Sequence, residues 1–214
     1  MLKETLIRSL AKDGYLKTLA ITNAFKKIAR EDFVLEENKK EAYENYPLPI
    51  GFGQTISQPL TVAFMLELLE PKPGEKILDV GTGSGWQAAL LAQIVGEQGT
   101  VVAIERIADL FMLAGKNISK YGFLDSGVVK LINADGSKGY AASAPFDKII
   151  AAASGDKIPE AWKEQLKVGG RIVAPVGDSI IVLDKKGPAE FEERRYFGFK
   201  FVPLVIGDKA EPAS

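Results

Sequence analysis

Apolar and charged residues alternate through the first thirty positions at the spacing of amphipathic helices. Residues 2 to about 30 are therefore predicted to form one or two helices, with Gly14 between them. The apolar stripe consists of Leu6, Leu10, Leu16, Leu19, Ile21, Phe25 and Ile28. Residues 31–57 are rich in Asn, Gly and Pro and carry a charge run at 36–41, which predicts a surface excursion.

A further helix is predicted to begin at Pro59 and to end before Pro71. Proline is favoured in the first turn of a helix, and Ser57 is a candidate N-cap. The apolar positions with helical spacing are Val62, Met65, Leu66 and Leu69.

After Pro71 the chain alternates short β-branched runs with helical segments. Strands are predicted at 76–80, 100–105, 128–132, 146–153 and 171–176, the last after a Gly169-Gly170 turn. Helices are predicted at 86–95, at 107–120 and from Pro159. Strands separated by helices predict an α/β fold with a doubly wound, mostly parallel, Rossmann-like sheet.

The C-terminal part of the chain has a different pattern. The segments SIIVLDKKG and EFEERRYFGFKFVPLV are both strand-like, and no helical segment separates them. They are predicted to form an antiparallel pair at the edge of the sheet.

Composition excludes several kinds of chemistry. The 214 residues contain no cysteine and no histidine, so disulfides, thiolate nucleophiles, Cys/His metal sites and imidazole triads are ruled out, and no metal is expected. Lys and Arg (27) nearly balance Asp and Glu (28), so there is no overall basic field for nucleic acid or anionic membrane. With 46% hydrophobic residues the chain is expected to form one globular domain.

The sequence gives only default expectations for the cellular location and the oligomeric state of the protein. The N-terminus lacks the uninterrupted apolar stretch of a secretory signal, and no apolar run approaches the ~20 residues that cross a bilayer. A cytoplasmic monomer without membrane or nucleic-acid partners is expected.

The first turn of the alternating region, DVGTGSGW from Asp79 to Trp86, is the candidate ligand site. Glycines there let the backbone approach a ligand, and a helix N-terminus offers unpaired N–H groups. The dinucleotide pattern G-x-G-x-x-G, started at Gly81, reaches Trp86 where glycine is required. Asp79 is unfavourable beside a pyrophosphate and suits an ammonium group, such as that of S-adenosylmethionine.

Two further acids follow successive predicted strands. Glu105 is placed to accept hydrogen bonds from ribose hydroxyls, and Asp135 from an adenine amine. Each acid also has a purely structural interpretation: Asp79 as a turn residue, Glu105 as a surface charge paired with Arg106, and Asp135 as an Asx turn before Gly136. Their occurrence together at strand C-termini favours the cofactor interpretation.

These residues resemble a known family. The segments DVGTGSG, AIER, NADG and LKVGGRIVAPVG are similar to class I S-adenosylmethionine-dependent methyltransferases. The stretch PLPIGFGQTISQP followed by DVGTGSGWQAA resembles, more narrowly, the protein-L-isoaspartate O-methyltransferase family. The segments AREDFV, AAAS with the later IP, and FVPL are also similar, so that the resemblance runs from about residue 20 to 206.

The resemblance implies that the α-carboxylate of an L-isoaspartyl residue, or a D-aspartyl carboxylate, in a damaged protein attacks the methyl group of S-adenosyl-L-methionine. Carboxylic acids titrate near ~4, so no general base is needed. The uncharged GFGQTIS segment would orient this nucleophile, with Ser57 as the catalytic hydroxyl and Gln54, Thr55 and Ile56 as substrate contacts. Val202 would offer backbone groups to the peptide.

The resemblance also implies the cofactor contacts and the division of the chain. Residues 1–70 would carry the N-terminal helices and the substrate-binding segment, packed on the methyltransferase core of 71–214 in one structural domain. S-Adenosyl-L-homocysteine would be the product. The expected cofactor-binding residues are Asp79, Gly81, Thr82, Gly83, Ser84, Gly85, Glu105, Arg106, Asp135 and Gly136.

Three departures from the family pattern leave alternatives open. Asn45 stands where aspartate is usual, residues 154–157 lack the usual proline, and Trp86 replaces tyrosine. The alternatives are a methyltransferase of another carboxylate and a non-catalytic S-adenosylmethionine-binding module. A dinucleotide oxidoreductase is disfavoured by Trp86.

Overall fold

The computed structural model describes residues 1–204 and 207. The helices are α1 (Lys3–Lys12), α2 (Leu19–Lys27), α3 (Pro59–Leu69), α4 (Trp86–Val95), α5 (Ala108–Ser119) and α6 (Glu160–Gln165). The strands are β1 (Leu48–Gly51), β2 (Gln54–Ile56), β3 (Lys76–Val80), β4 (Thr100–Glu105), β5 (Val129–Asn133), β6 (Phe146–Ala151), β7 (Leu166–Val176), β8 (Ser179–Lys185) and β9 (Phe191–Phe197).

One 7-stranded sheet, in the order β5-β4-β3-β6-β7-β8-β9, forms the centre of the fold. The first five strands in this order run parallel, and β8 and β9 are antiparallel to their neighbours. This confirms the prediction of a doubly wound, mostly parallel sheet with an antiparallel C-terminal pair. Among the described helices, none has the length and hydropathy needed to cross a bilayer.

The strand side chains alternate between two hydrophobic cores, one on each face of the sheet. Helices α1 to α5 cover one face and α6 covers the other. The first core contains Ile77, Val101, Ala103, Ile150, Val173, Ile180 and Val182. The second contains Leu78, Val80, Val102, Ile104, Ile149, Ile172, Ile181 and Leu183. Because both faces of these strands are buried, their sequences are apolar runs and do not alternate between apolar and polar residues.

The sequence predictions were wrong at several positions. Leu19 does not join the apolar stripe of the N-terminal helices, because it begins α2 with 72% of its side chain exposed. The excursion at 31–57 contains the β1–β2 hairpin, whose Leu48 and Ile50 are buried. Gly169 and Gly170 lie within β7, where a Cβ on Gly170 would lie 2.8 Å from the carbonyl oxygen of Asp147.

The end of the predicted C-terminal strand also differs. Strand β9 ends at Phe197, and residues 198–204 continue as an irregular segment. Residues 205 and 206 of the predicted strand lie outside the described residues.

The start of α3 is capped from another loop. Its N-cap residue is Gln58, which makes no side-chain capping bond, so the interpretation of Ser57 as N-cap is wrong. The N–H of Leu60 instead donates to Oδ1 of Asn45, at 3.0 Å. Asparagine therefore supplies the acceptor oxygen that aspartate would supply at this position.

Replacing Asn45 with alanine is expected to lower the free energy of unfolding by ~1 kcal/mol, because the half-buried N–H of Leu60 loses its acceptor. Chemical denaturation measures this change. Asn45→Asp is the matched control, since it keeps the oxygen and adds a favourable charge at the helix N-terminus. Equal loss of stability in both variants would contradict the capping role.

Candidate active site

The glycine turn between β3 and α4 lies at the C-terminal ends of the parallel strands, where it borders a cleft. Gly81, Gly83 and Gly85 have φ values of +75°, +57° and +96°, a region that residues with a Cβ rarely adopt. The N–H groups of Gly81 and Thr82 donate to the carbonyl oxygen of Ile104, at 2.9 and 3.0 Å. The turn is thus fastened to β4, and Gly81 and Gly83 line the cleft.

The three glycines have different neighbours. A Cβ on Gly81 would lie 3.7 Å from that of Ala153, and a Cβ on Gly83 would lie 3.2 Å from Cδ1 of Ile50 in the β1–β2 hairpin. A Cβ on Gly85 would lie 2.9 Å from Ile118, so this glycine allows α4 and α5 to approach. The first two shape the cleft and the third serves helix packing.

Asp79 lies beneath the turn and is completely buried. Its two oxygens accept hydrogen bonds from the Thr82 hydroxyl at 2.8 Å and the Gln87 amide at 2.7 Å. Burial raises the pKa of Asp79 to about 6, although both hydrogen bonds oppose this rise. The turn therefore rests on a carboxylate with no cationic partner among its hydrogen-bond donors.

Glu105 connects the turn to the start of α5. One of its carboxylate oxygens accepts from the N–H of Gly83 and the other from the N–H of Ile107, both at 2.9 Å. Burial raises the pKa of Glu105, and these backbone donors partly counter the rise. The Glu105 carboxylate is fixed at the wall of the cleft.

Asp135 and Arg106 are joined through a residue near the C-terminus. Asp135 accepts from the N–H and hydroxyl of Ser137 through Oδ1, and from the N–H of Gly207 through Oδ2 at 3.1 Å. Arg106 donates to the carbonyl oxygen of Gly207 at 2.9 Å. Burial by itself would raise the pKa of Asp135, but the hydrogen bonds from Ser137 and Gly207 lower it below its usual value. The Asx turn that the sequence allowed is present, and Oδ2 faces away from it.

The cleft has three adjoining parts. The main chamber lies beside the glycine turn and β4 and has a cavity volume of about 80 Å³. The inner recess lies between the turn and residues 55–57. The outer groove lies between residues 55–61 and 200–202. Thr55 and Ala152 line all three parts, so they mark the point where the parts meet.

The hairpin places the uncharged segment at this junction. Phe52 and Gly53 form its two-residue loop, both with positive φ, and β2 then presents Thr55 to the cleft. Ser57 follows β2 and lines both the inner recess and the outer groove. Within the part of the chain that the structure describes, its hydroxyl makes no hydrogen bond, so it is available to a ligand.

The C-terminal segment separates the main chamber from the outer groove. The N–H of Ser154 donates to the carbonyl oxygen of Val202, and the N–H of Leu204 donates to the carbonyl oxygen of Ser154, at 2.8 and 2.7 Å. Two residues before Ser154 the segments diverge, because the N–H of Ala152 donates to the carbonyl oxygen of Val80 instead. Val202 lines both spaces, and among the described residues its N–H has no partner.

The structure brings most of the predicted site residues to one cleft. The main chamber is lined by Gln54, Thr55, Gly81, Gly83, Glu105, Arg106, Gly136 and Val202. The inner recess adds Ile56, Ser57, Thr82 and Ser84. Three predicted residues lie outside both linings, namely Asp79 beneath the turn, Gly85 against α5 and Asp135 at the Asx turn.

Sequence reasoning missed several residues of the cleft. Ile107 and Leu110 form an apolar wall of the main chamber, and Lys200 lines the outer groove. Ala152 follows β6, and its position at a strand C-terminus was the signal that would have identified it. Gln87, the partner of Asp79, lies in the first turn of an entirely buried helix and gave no such signal.

The donors and acceptors fit a cationic nucleoside better than a dinucleotide. The chamber combines an apolar wall with the turn backbone, and Glu105 and Arg106 are its only charged lining residues among those described. The Asp79 charge lies directly beneath the turn and would repel a pyrophosphate. Gly81 and Gly83 line the chamber without a side chain, so a ligand can approach their backbone closely.

Comparisons with known proteins find similar sequences over nearly the whole chain. A family model described as protein-L-isoaspartate(D-aspartate) O-methyltransferase matches residues 1–209. The chain is 42% identical over 207 residues to a protein-L-isoaspartate O-methyltransferase of Methanopyrus kandleri, covering 95% of this chain and 91% of that protein.

Solved structures show the same fold. One named protein-L-isoaspartate O-methyltransferase is similar with a TM-score of 0.86 and 28% identity, covering 95% of this chain and 66% of that chain. A Plasmodium falciparum chain in complex with S-adenosyl-L-homocysteine has a TM-score of 0.85 at 24% identity, covering 95% of this chain and 98% of that chain.

Proposed function

Because the chain belongs to the protein-L-isoaspartate O-methyltransferase family, we propose that its cleft methylates the carboxylate of isoaspartyl residues in damaged proteins. S-Adenosyl-L-methionine is the methyl donor and S-adenosyl-L-homocysteine the product. The methyl ester then cyclises spontaneously to a succinimide, which hydrolyses partly to normal aspartate. The enzyme thereby begins the repair of the damaged residue.

The observation that carries this proposal is the meeting of the three parts of the cleft at Thr55, with Ser57 between the inner recess and the outer groove. The lining of the main chamber and inner recess has the chemistry for the cofactor, and the turn glycines and Ser84 would surround its methionyl part. The outer groove has the polar, open form that suits a peptide. A group held at their junction contacts both reactants, as methyl transfer requires.

The cofactor supplies, when bound, an electrophilic methyl group on a positively charged sulfur. When the cofactor is bound, Glu105 would contact the ribose, Asp135 and Gly136 would lie at the adenine end, and the buried charge of Asp79 would attract the ammonium group through the turn. Arg106 supports this end of the chamber by holding Gly207.

The outer groove suits an anionic acceptor. Lys200 is the only charged residue that lines it within the described part of the chain. The acceptor carboxylate is ionised at neutral pH, since such groups titrate near ~4, and no side chain has to remove a proton. The hydroxyls of Ser57 and Thr55 orient the carboxylate without neutralising it, and the free N–H of Val202 binds the peptide backbone.

The two-sided lining of the outer groove, by residues 55–61 and 200–202, predicts a preference for peptides over isolated residues. An isoaspartyl hexapeptide is expected to have a KM at least ~10-fold lower than a single blocked isoaspartyl residue, because ~1.4 kcal/mol of backbone binding is lost with the flanking residues. Initial rates of methyl ester formation with each acceptor measure this difference. Equal efficiency with the single residue, or with other small carboxylic acids, would favour a different carboxylate substrate.

A further inference from the structure

Arg30 is a buried cation that binds only backbone oxygens. It begins a short 3-10 turn after α2, and 1% of its surface is exposed. Nη1 donates to the carbonyl oxygens of Ala42 at 2.6 Å and Glu44 at 3.4 Å. Nη2 donates to those of Tyr46 and Ser57, both at 3.1 Å. The guanidinium therefore joins the loop at 42–46 to the candidate catalytic segment.

The carbonyl group of Ser57 depends on this contact. It lies between the end of β2 and the start of α3, where the first helical bond is accepted by Gln58 from Val62. Pro59 has no N–H with which to brace the segment. Arg30 thus supplies a hydrogen bond to the Ser57 carbonyl that neither β2 nor α3 supplies.

The same guanidinium also contacts the other wall of the cleft. Its central carbon lies 5.3 Å from the ring centroid of Trp86, within the range of a cation–π interaction. Trp86 is the first residue of α4, directly after the glycine turn, and it lines the inner recess. One side chain therefore spans the distance between Ser57 and the turn.

The burial of Arg30 is unfavourable in itself. Burial lowers its pKa to about 10, and the nearby phenols of Tyr43 and Tyr46 are the groups that oppose this. The transfer of a charge from water into the protein interior is strongly unfavourable unless hydrogen bonds compensate for the lost hydration. A planar fork reaches several carbonyl groups at once, which a lysine ammonium does not match in geometry.

We propose that Arg30 is a positioning residue that fixes the Ser57 hydroxyl relative to the glycine turn and so aligns the acceptor carboxylate with the methyl group. This inference rests on the function proposed above. A displacement of ~1 Å at such a junction costs ~100-fold in rate, so the position of Ser57 has to be held from outside the cleft.

Lys185 provides a matched control elsewhere in the fold. It is also buried, and its Nζ donates to the carbonyl oxygens of Lys163 and Leu166 at 2.7 and 2.8 Å. It lies 5.7 Å from the ring centroid of Phe191, much as Arg30 lies over Trp86. It lines none of the three parts of the cleft.

The test compares Arg30→Met, Arg30→Lys and Lys185→Met at a temperature below all their unfolding midpoints. Both Met variants are expected to lose stability. Only the Arg30 variants should lose ~100-fold in kcat with an isoaspartyl peptide. Their Kd for S-adenosyl-L-methionine should stay within ~3-fold of wild type, because the glycine turn keeps its own hydrogen bonds.

Hydrogen exchange gives a readout that needs no activity. The amides of residues 55–58 and 60 should exchange faster in Arg30→Met than in wild type. In Lys185→Met their exchange rates should equal those of wild type. If Arg30→Met does not fold, the milder Arg30→Lys decides. An Arg30 variant that folds with the wild-type kcat, or whose cofactor Kd rises as much as its kcat falls, would overturn this inference. An inactive wild-type protein would instead overturn the proposed function.

Discussion

Replacing Ser57 with alanine is expected to lower the turnover of isoaspartyl methylation by ~100-fold, the loss typical of removing one oriented hydrogen-bond donor. The hydroxyl lies where the inner recess meets the outer groove and has no partner among the described residues. Single-turnover rates with an isoaspartyl peptide measure the loss. Cofactor affinity, measured by calorimetry, should change by less than ~2-fold, because the turn that holds the cofactor is untouched.

Stability separates this role from a structural one. Since Asn45 and not Ser57 caps α3, Ser57→Ala should leave the unfolding midpoint unchanged. Ser126→Ala is a suitable control, because its exposed hydroxyl contacts only the carbonyl oxygen of Phe123, outside the cleft. Full turnover in the Ser57 variant would remove Ser57 from the catalytic role.

Replacing Asp79 with asparagine is expected to weaken cofactor binding by at least ~10-fold at neutral pH, since the ammonium group loses the attraction of a buried negative charge. The fold should survive. Asparagine keeps one acceptor oxygen, and both the Thr82 hydroxyl and the Gln87 amide can turn to accept a hydrogen bond. Adenosine, which lacks the methionyl part, is the control ligand, and its affinity should change little.

Asp79→Asn should weaken cofactor binding but should not lower the stability of the fold. Burial raises the pKa of Asp79 to about 6, above its unfolded value, so protonation favours the folded state. That stabilisation is complete below pH ~4 and is lost as pH rises through about 6. Asp79→Asn avoids the cost of the buried charge at neutral pH, where it should equal or exceed wild type in stability, by no more than ~3 kcal/mol.

The pH dependence of binding follows from the same group. Wild-type affinity for the cofactor should fall as pH decreases through about 6 and Asp79 becomes protonated. In Asp79→Asn the affinity should lose the pH dependence that is due to residue 79. Any pH dependence due to Glu105 should remain, because burial also raises the pKa of Glu105. Unchanged affinity and an unchanged profile in Asp79→Asn would contradict a role for its charge.

The alternation of strands and helices was predictable from the sequence because local hydrophobic patterns dictate it. Strands β3 and β4 and helix α4 were found at their predicted residues, since buried parallel strands and a helix with only two polar residues have strong apolar signals. The glycine turn was also predictable. Its positive φ values require glycine, whatever the ligand.

The contacts between distant segments were not predictable from local patterns. Arg30 reaches Ser57 across 27 positions of the chain, and Arg106 reaches Gly207 across 101. The β1–β2 hairpin was missed because Phe52 occupies a turn position at which Asn is the usual signal. The burial of Asp79 follows from the sheet and α4 together, which no short segment reveals.

The most direct test of the account is the transfer of labelled methyl from S-adenosyl-L-methionine to two peptides that differ only in one residue. One contains L-isoaspartate and the other L-aspartate at the same position. Base-labile label on the isoaspartyl peptide alone is the predicted result. If the cofactor binds but neither peptide is labelled, or both are labelled equally, the assignment of isoaspartyl methylation to this cleft is wrong.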